Sequence, residues 1–307
     1  MNINQNKPTL TIFTPLYNRK NTLSRTYESL CRQTNKDFEW LIIDDGSTDD
    51  PYEEISNWIL KDNGFKIKYI YKENGGMHTA HNTAYANIDT ELNVCIDSDD
   101  YMPDNAVELI LKCWEKSRDK NYAGIIALDY ADTTKKLLGT KLPENKDSTT
   151  LMGFYNNGGN GDKKLIYRTD IINSFPDYPV FDNEKYVALA YKYHLIDEKY
   201  ELKILNECVC IVDYQYDGSS YNMYRQYVRN PKGFAFWRKE QMRHSINIKQ
   251  RFKACIHYVS SSLLCKNKNF IKESPCKIIT TIAVPFGVVL KHIIVKKSKF
   301  EYMYIDG

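Results

Sequence analysis

The sequence predicts an α/β fold in which a mostly parallel central sheet is flanked by helices, followed by a helical, basic C-terminal extension. Short apolar runs rich in β-branched residues alternate with segments of helical periodicity as far as Leu128, which is typical of parallel strands joined by helices. From Arg225 to Gly307 the chain has 17 Lys and Arg against 4 Asp and Glu. In this part the apolar residues keep a helical spacing, so helices are predicted there as well.

Six apolar runs are predicted as strands because turn-forming or polar residues bound them. The first run ends at Pro15, which cannot donate a hydrogen bond within a sheet. The predicted strands comprise residues 10–15, 38–43, 67–71, 92–96, 124–128 and 208–214.

Helices are predicted where apolar residues recur at helical spacing between these runs. Asn21 or Thr22 would cap the first helix, which has Leu23, Tyr27 and Leu30 on one face. The other predicted helices comprise residues 51–60, 78–86, 103–114 and 183–193, and helical periodicity returns from residue 233 onward.

Composition indicates a soluble protein, since hydrophobic residues make up 42% and charged residues 26% of the 307 residues. None of the eight cysteines belongs to a C-x-x-C pair, which argues against a zinc ribbon or a thioredoxin-like motif. Scattered free cysteines favour a reducing compartment, and residues 1–8 lack the apolar stretch of a signal peptide. We therefore expect a cytoplasmic protein.

The basic C-terminal part suggests an anionic partner, either a membrane surface or a nucleic acid. It has no zinc-finger spacing and no regular basic and aromatic pattern, so a nucleic-acid partner is not expected. Residues 278–295 are apolar, but Pro285 and Gly287 interrupt them and lysines flank them. Two interpretations stay open for this segment: a peripheral helix on an anionic membrane at the inner face of the plasma membrane, or a helix packed on the protein's own core.

Polar residues follow three of the predicted strands at the point where each strand ends. The three clusters are Thr14–Asn18, Asp44–Asp45 and Asp97–Asp100. In open α/β sheets ligands bind at the carboxyl ends of the strands. The sequence therefore predicts one ligand site built from these clusters.

The Asp97-Ser98-Asp99-Asp100 cluster contains two carboxylates at positions i and i+2, directly after a strand. Hard cations such as Mg²⁺ and Mn²⁺ prefer oxygen ligands, and such a cation would neutralise a leaving diphosphate. The motif by itself is equally typical of a solvated loop after a strand. Its position next to the second acidic strand end, Asp44–Asp45, favours the metal interpretation.

Taken together, these motifs resemble family 2 glycosyltransferases with the GT-A fold. The similar segments are Thr14–Asn18, Asp44–Asp49, Asn74-Gly75-Gly76, Asn82 and Asp97–Asp100, within about residues 8–215. The resemblance implies an inverting transferase that uses a nucleotide sugar, commonly a UDP-sugar, together with Mn²⁺ or Mg²⁺.

The resemblance also implies roles for single residues. Asp45 would contact the nucleobase, Asp97 the ribose or sugar side, and Asp99 the metal, with Asp97 as a second metal ligand. The full set of expected donor-binding residues is Thr14, Pro15, Tyr17, Asn18, Asp45, Asn74, Gly75, Gly76, His78, Asn82, Asp97 and Ser98.

The family places its catalytic carboxylate further along the chain, at the start of a helix. The stretch that matches is Phe181–Val187, in which Glu184 takes the position of the base and Asp182 is the alternative. A carboxylate there would accept the proton of the acceptor hydroxyl during attack on the anomeric carbon. Glu184 is also compatible with an ordinary acidic residue in the first turn of a helix.

Two positions depart from the family pattern, because Met77 and His81 stand where many relatives have basic residues that hold the diphosphate. His78, His81 or Lys72 would have to substitute for them. A third metal ligand is not evident; Asp213 and Asp217 are candidates, and Asp100 is expected to cap the next helix.

The predicted domains are a transferase domain, 1–225, and a basic helical extension, 226–307. The first would divide into a nucleotide-sugar half, about 8–130, and an acceptor half, about 131–225. The expected function is transfer of a sugar to a hydroxyl of a glycan or lipid-linked glycan, in capsule, O-antigen or teichoic-type polymer synthesis. The alternative is a binding module without turnover on the same fold. A nucleotidyltransferase is disfavoured because residues 14–20 contain no Gly-rich phosphate loop.

Overall fold

The computed structural model describes residues 7–118, 120–214 and 222–303. The chain forms two compact units. The first comprises Met1–Asp177 and Lys192–Tyr214, and the second comprises Tyr178–Tyr191 and Gln215–Gly307. The first unit contains a mixed sheet with its helices, and the second is built mainly from helices.

The sheet has eight strands within the described residues. In chain order they are β1 (Leu10–Leu16), β2 (Phe38–Asp44), β3 (Lys66–Tyr71), β4 (Leu92–Cys95), β5 (Gly124–Ala131), β6 (Ser148–Thr149), β7 (Lys163–Arg168) and β8 (Leu202–Val212). Their order across the sheet is β3-β2-β1-β4-β7-β5-β8-β6.

The helices alternate with the strands in the first half of the chain and follow one another in the second. They are α1 (Lys20–Cys31), α2 (Tyr52–Ile59), α3 (Met77–Asn87), α4 (Ala106–Glu115), α5 (Leu151–Asn156), α6 (Thr169–Asn173), α7 (Ala190–Asp197), α8 (Met223–Arg229), α9 (Pro231–His244), α10 (Ile248–Leu264), α11 (Phe270–Glu273) and α12 (Lys277–Met303).

Strands β3, β2, β1 and β4 are parallel neighbours. Every residue of β1 and β2 is buried, as expected for strands covered on both faces. Trp40 of β2 stacks with Trp58 of α2, and Leu23 and Leu30 of α1 belong to the same core. The predicted strands and helices of this half are confirmed to within a few residues.

The other half of the sheet is mixed. Strand β7 lies between β4 and β5 and is antiparallel to both, while β8 is parallel to β5. Ile166 of β7 pairs with Val94 on one side and Ile125 on the other. The predicted α/β class is confirmed, but β7 is not predicted from the sequence, because it begins with Lys163 and Lys164 and has no long apolar run.

The C-terminal extension is helical, as predicted. Helix α10 packs against α9 and α12. The core of this unit includes Met242 of α9, Cys255, Tyr258 and Val259 of α10, and Ala283 of α12. The segment 278–295 therefore lies in one continuous helix, one face of which packs on the protein itself.

The helix prediction near residue 183 is wrong. The helix expected at 183–193 begins only at Ala190, because Asn183 has a left-handed backbone, φ +63°, that a helix does not accommodate. The segment Tyr178–Tyr191 also groups with the C-terminal helices, so the division differs from the predicted boundary at residue 225. Contacts of Phe181 with Phe236 hold the segment there.

Candidate functional site

The carboxyl ends of β2, β1 and β4 lie side by side in the first unit. Leu16 at the end of β1 is in register with Asp44 at the end of β2. Beyond the end of β4, the N–H of Ile96 donates to the carbonyl of Phe13 in β1, with an N–O distance of 3.0 Å. The structure therefore brings the three predicted polar clusters to the same edge of the sheet.

Asp45 is buried and holds the loop that precedes α3. Its two carboxylate oxygens accept hydrogen bonds from the Lys72 amine, the Asn74 amide (3.2 Å), and the N–H groups of Gly75 (3.0 Å) and Gly76 (2.7 Å). A carboxylate has about four acceptor positions, so these four donors occupy them all. A nucleobase could bind Asp45 only by replacing one of them.

Two glycines allow this close approach. Gly46 has φ +79°, and a Cβ placed on it would lie 2.7 Å from the Asn74 nitrogen, closer than real Cβ atoms come to a backbone atom. Gly76 has φ +93° and is the N-cap residue directly before α3. Both positions therefore require the conformational freedom of glycine.

The first turn of α3 contains a buried histidine. Both ring nitrogens of His78 are buried and have no hydrogen-bond partner within the described parts of the chain. Burial lowers the pKa of His78 to about 4, while nearby Asp45 opposes the shift and Lys72 adds to it. His78 is therefore a neutral ring, with an unsatisfied N–H, close to a helix N-terminus that favours anions.

His81, one turn further along α3, belongs to the core. Its ring makes an edge contact with Phe13, with 5.0 Å between centroids, and its Nδ1 lies 3.2 Å from the Tyr85 hydroxyl. Burial lowers the pKa of His81 to about 3. The suggestion that His81 replaces a basic diphosphate contact is therefore wrong, because its ring is enclosed by core residues and neutral.

The acidic loop after β4 combines half-buried and buried members. Asp97 and Asp99 are half-buried, whereas Ser98 and Asp100 are buried. Burial, with repulsion from Asp97, raises the pKa of Asp99 to about 6, although Arg19 opposes this shift. Asp97 and Asp99 thus form a pair of close carboxylates whose mutual repulsion a divalent cation would relieve.

Helix α1 holds this loop from one side. The side chains of Thr22, Arg25 and Thr26 donate to the three consecutive carbonyls of residues 98–100, at 2.8, 2.6 and 2.7 Å. These three donors stand at positions i, i+3 and i+4, so they share one face of the helix. They are residues of the candidate site that the sequence patterns do not reveal, since only the apolar face of α1 shows a periodicity.

Asp100 joins the acidic loop to the end of β8. Its Oδ1 accepts the N–H of Asp213 at 3.0 Å, and the Lys164 amine lies 4.0 Å from its Oδ2. Burial raises the pKa of Asp100 to about 8 against the opposing charge of Lys164. The expectation that Asp100 caps the next helix is wrong, because α4 begins at Ala106, after Asn105.

We find no third metal ligand among the described residues. Oδ2 of Asp213 accepts a hydrogen bond from Arg25 at 2.8 Å, so this carboxylate is paired with a cation. Asp217 lies outside the described residues. Within the described ranges, no group of three or more His, Cys, Asp or Glu side chains is arranged to hold a metal ion.

The residues after β1 differ in what they offer to a ligand. The Thr14 hydroxyl is buried and accepts a hydrogen bond from the Trp40 indole at 2.9 Å. Tyr17 is exposed. Asn18 has φ +52°, and its Oδ1 accepts the N–H of Thr48 at 2.8 Å. Tyr17 is therefore the side chain of this group that is available to a nucleobase, while Thr14 and Asn18 shape the backbone.

Glu184 and Asp182 belong to the second unit. Both carboxylate oxygens of Glu184 accept backbone N–H groups, from Lys232 at 2.9 Å and from Gly233 at 2.8 Å. These are N–H groups of the first turn of α9, which begins at Pro231. Glu184 is buried and Asp182 is exposed, so the two candidate bases have different environments.

A surface cavity of about 650 Å³ opens between residues that precede strands, among them Thr9 and Asp37, and residues of α4 such as Glu108. Because it lies at the amino ends of β1 and β2, it is not at the edge where parallel sheets bind ligands. The carboxyl-end cluster is therefore the candidate site.

Comparison with known proteins agrees with this geometry. The model of glycosyl transferase family 2 matches residues 11–175, more than half of the chain. Chondroitin synthase of Pasteurella multocida strain Pm70 is 38% identical over 116 residues, which are 38% of this chain and 12% of the synthase. The curated relatives that are 38% identical are matched over 12–18% of their own length.

Two solved structures share the fold. TarS 1–349 of S. aureus, in complex with UDP-GlcNAc, has a TM-score of 0.59 and 13% identity, over 95% of this chain and 91% of that chain. The mannosyltransferase PcManGT of Pyrobaculum calidifontis, in complex with GDP-Man and Mn²⁺, has a TM-score of 0.53 and 14% identity, over 97% and 85%. These likenesses establish the GT-A fold, and with the family match they show that the chain belongs to glycosyl transferase family 2.

Proposed function

We propose that the protein is an inverting glycosyltransferase that moves a sugar from a nucleotide-diphosphate donor to a hydroxyl group. The observation that carries this proposal is the half-buried pair Asp97 and Asp99, at the same sheet edge as the loop that Asp45 holds before α3. Two close carboxylates and a helix N-terminus at this edge suit a donor that contains a diphosphate.

A UDP-sugar is the donor that we favour. The structure of TarS contains UDP-GlcNAc and that of PcManGT contains GDP-Man, so proteins with this fold bind nucleotide sugars. In this chain the exposed ring of Tyr17 is suited to stack on the base. His78 has both ring nitrogens buried, so it would support the helix N-terminus on which the diphosphate is expected rather than contact it directly. The remaining residues of the expected set, Pro15, Asn82 and Ser98 among them, would shape the pocket.

A divalent cation, Mn²⁺ or Mg²⁺, fits the acidic loop. Asp97 and Asp99 offer the oxygen ligands that hard cations prefer. Mg²⁺ is commonly bound by one or two carboxylates that substrate phosphates and water complete, so two protein ligands suffice. When bound, the cation would supply Lewis-acid stabilisation of the leaving diphosphate.

Two carboxylates of the second unit are candidates for the general base. The resemblance points to Glu184, but both of its oxygens are engaged by the first turn of α9 and the side chain is buried. A general base must reach the proton that it removes. We therefore favour the exposed Asp182 as the base and assign Glu184 to holding the segment Phe181–Val187 on α9.

The acceptor that we infer is a glycan or lipid-linked glycan of the cell surface, such as a capsule, O-antigen or teichoic-type polymer. The relative with the name chondroitin synthase supports a polysaccharide product. A lipid-linked acceptor would place the enzyme in the cytoplasm at the inner face of the plasma membrane. The alternative, a binding module without turnover, keeps the same donor contacts and lacks transfer.

A donor screen separates the two possibilities. The purified chain is incubated with UDP- and GDP-sugars and Mn²⁺ or Mg²⁺, and released nucleotide is measured with and without EDTA. Release that needs the metal, and that increases when oligosaccharide acceptors are added, is the expected result. Saturable binding of a nucleotide sugar with no release from any donor would overturn the enzyme assignment in favour of the binding module.

A further inference from the structure

Helix α12 is unusual among the described elements. Its part Lys277–Lys299 is the one helix within the described residues that is long and apolar enough to cross a membrane, by length and composition. Only 22% of its most apolar 18-residue window is buried. It therefore differs from the core helix of a soluble protein, which would be mostly buried.

One face of α12 packs tightly on the second unit. Gly287 lies so close to α10 that a Cβ placed on it would stand 2.5 Å from Val259. Ala283 is fully buried, and the buried Thr280 hydroxyl is hydrogen-bonded with Ser274 at 2.6 Å. These small inner residues fix the helix against its neighbours, so its opposite face has a defined direction.

The opposite face carries a row of exposed apolar side chains. They are spaced by four, four, three and four residues, which keeps them on one side of the helix, and each is 44–79% exposed. With a rise of 1.5 Å per residue the row is about 22 Å long. Its members, named here the outer row, are Ile278, Ile282, Phe286, Val289 and Ile293.

Positive charge borders the outer row. Lys277 precedes it, and Lys296 follows Ile293 by three residues, on the same side of the helix. Lys299 is exposed as well. From residue 277 to 299 the sequence has five lysines and no Asp or Glu, so no acidic residue within this part of the helix offsets the charge.

We propose that the outer row of α12 binds the surface of an anionic lipid bilayer. The apolar side chains would enter the boundary between headgroups and acyl chains, and the lysines would contact anionic headgroups, as in interfacial amphipathic helices. A spanning orientation is disfavoured because the inner face is already packed on α10. The helix would lie in the plane of the membrane.

A second copy of the chain fits this face less well. Two outer rows packed together would bring the terminal lysines of one helix near those of the other in either direction, with no Asp or Glu between residues 277 and 299 to pair with them. Like charges placed across an interface oppose association. The excess of lysine therefore favours an anionic surface over a symmetric dimer.

Flotation of the full-length chain with vesicles tests the proposal. Phosphatidylcholine vesicles with and without phosphatidylglycerol are compared at low and high salt. We expect binding to the phosphatidylglycerol vesicles that is at least tenfold stronger than to phosphatidylcholine alone and that weakens in high salt. Equal binding to both vesicles, or none to either, would overturn the proposal.

Matched variants identify the surface. The double variant Ile282→Glu/Val289→Glu should lose vesicle binding at least tenfold. The control Ile59→Glu/Leu60→Glu, which also introduces two glutamates at exposed apolar residues but in the other unit, should bind as the wild type does. Circular dichroism and urea denaturation check that both variants are folded. Unchanged binding by the double variant contradicts the proposal.

Two further measurements test the alternatives to surface binding, namely a membrane-spanning helix and a second copy of the chain. Release of the wild-type protein from isolated membranes by alkaline carbonate is expected, and retention would indicate a spanning helix instead. Light scattering of the wild type without lipid should show no dimer formed through the outer row. A dimer that Ile282→Glu/Val289→Glu abolishes would identify a second copy as the occupant. None of these readouts depends on transferase activity.

Discussion

The Thr26 hydroxyl donates a hydrogen bond to the main-chain carbonyl of Asp100, with an oxygen–oxygen distance of 2.7 Å. Both residues are buried, and they are separated by 74 positions in the sequence. This bond is the innermost of three that α1 makes to the acidic loop. It fixes the backbone from which Asp97 and Asp99 project, and a cation site needs such preorganisation.

Thr26→Val should loosen the acidic loop. The valine keeps the shape of threonine but leaves the buried carbonyl of Asp100 without its donor, which costs roughly 1–3 kcal/mol of unfolding free energy. We expect the Mn²⁺ concentration for half-maximal activity to rise about tenfold. Urea denaturation and metal titration of nucleotide release measure the two effects.

The control for this variant is Thr281→Val, which removes an exposed hydroxyl that donates to a carbonyl of its own helix at 2.9 Å. Its unfolding free energy should change by less than about 0.5 kcal/mol. Equal metal dependence of Thr26→Val and wild type would show that the α1 contacts do not position the carboxylates.

Asp99→Asn should abolish metal-dependent turnover while the fold survives. The amide is neutral and a poorer ligand for hard cations than a carboxylate, so we expect nucleotide release to fall at least a hundredfold. Asp104→Asn is the matched control, since Asp104 is exposed and pairs with Arg32 at the surface. Full activity of Asp99→Asn at the wild-type Mn²⁺ concentration would refute the metal assignment.

Asp45→Ala should destabilise the first unit strongly. The change leaves the half-buried Lys72 and the N–H groups of Gly75 and Gly76 without their acceptor, and an unsatisfied donor costs roughly 1–3 kcal/mol. Asp62→Ala, which removes an exposed carboxylate bonded to the N–H of Gly64, should cost far less. Denaturation midpoints of the two variants check this ranking, and a smaller loss for Asp45→Ala would reverse it.

Glu184→Gln and Asp182→Asn should separate structure from catalysis. Glutamine keeps one acceptor oxygen but cannot satisfy both N–H groups of α9, so we expect roughly 1–3 kcal/mol lower stability. Asp182→Asn should leave stability unchanged and lower kcat at least a hundredfold, with KM for the donor nearly constant. The opposite pattern, with stability intact and kcat lost in Glu184→Gln, would return the base to Glu184.

His81 should make the fold sensitive to acid. Burial lowers its folded pKa from 6.5 to about 3, with Lys192 and His78 adding to the shift; its ring nitrogens face the Tyr85 hydroxyl and the Cys95 thiol. Below pH 6.5 the unfolded chain binds a proton here and the folded chain does not. The contribution of His81 to the unfolding free energy is therefore fully present above pH 6.5. It falls as the pH decreases toward 3, by up to roughly 1.4 kcal/mol per pH unit.

The unfolding free energy, measured at about pH 7.5, 6 and 5, tests this prediction. His81→Gln should show a shallower loss toward acid than the wild type, even if it is less stable at every pH. His292→Gln, at an exposed position of α12, should keep the wild-type slope. Equal slopes for His81→Gln and wild type would contradict the assignment.

The sequence by itself determined the α/β class and the edge of the sheet at which the acidic clusters meet. An apolar run that leads directly into an acidic cluster, as before Asp44 and before Asp97, is a local pattern, and parallel strands place their carboxyl ends together, so both follow without coordinates. The pattern could not show β7, whose strand begins with two lysines, nor the mixed second half of the sheet.

Only the tertiary structure decided what each polar side chain does. Asp45 turned out to hold the loop before α3, His81 to lie in the core, and Glu184 to bind the first turn of α9, 48 and 49 residues away. Periodicity reports which face of a helix or strand is apolar. It carries no information about hydrogen bonds between residues such as Thr26 and Asp100, because those depend on how distant elements pack.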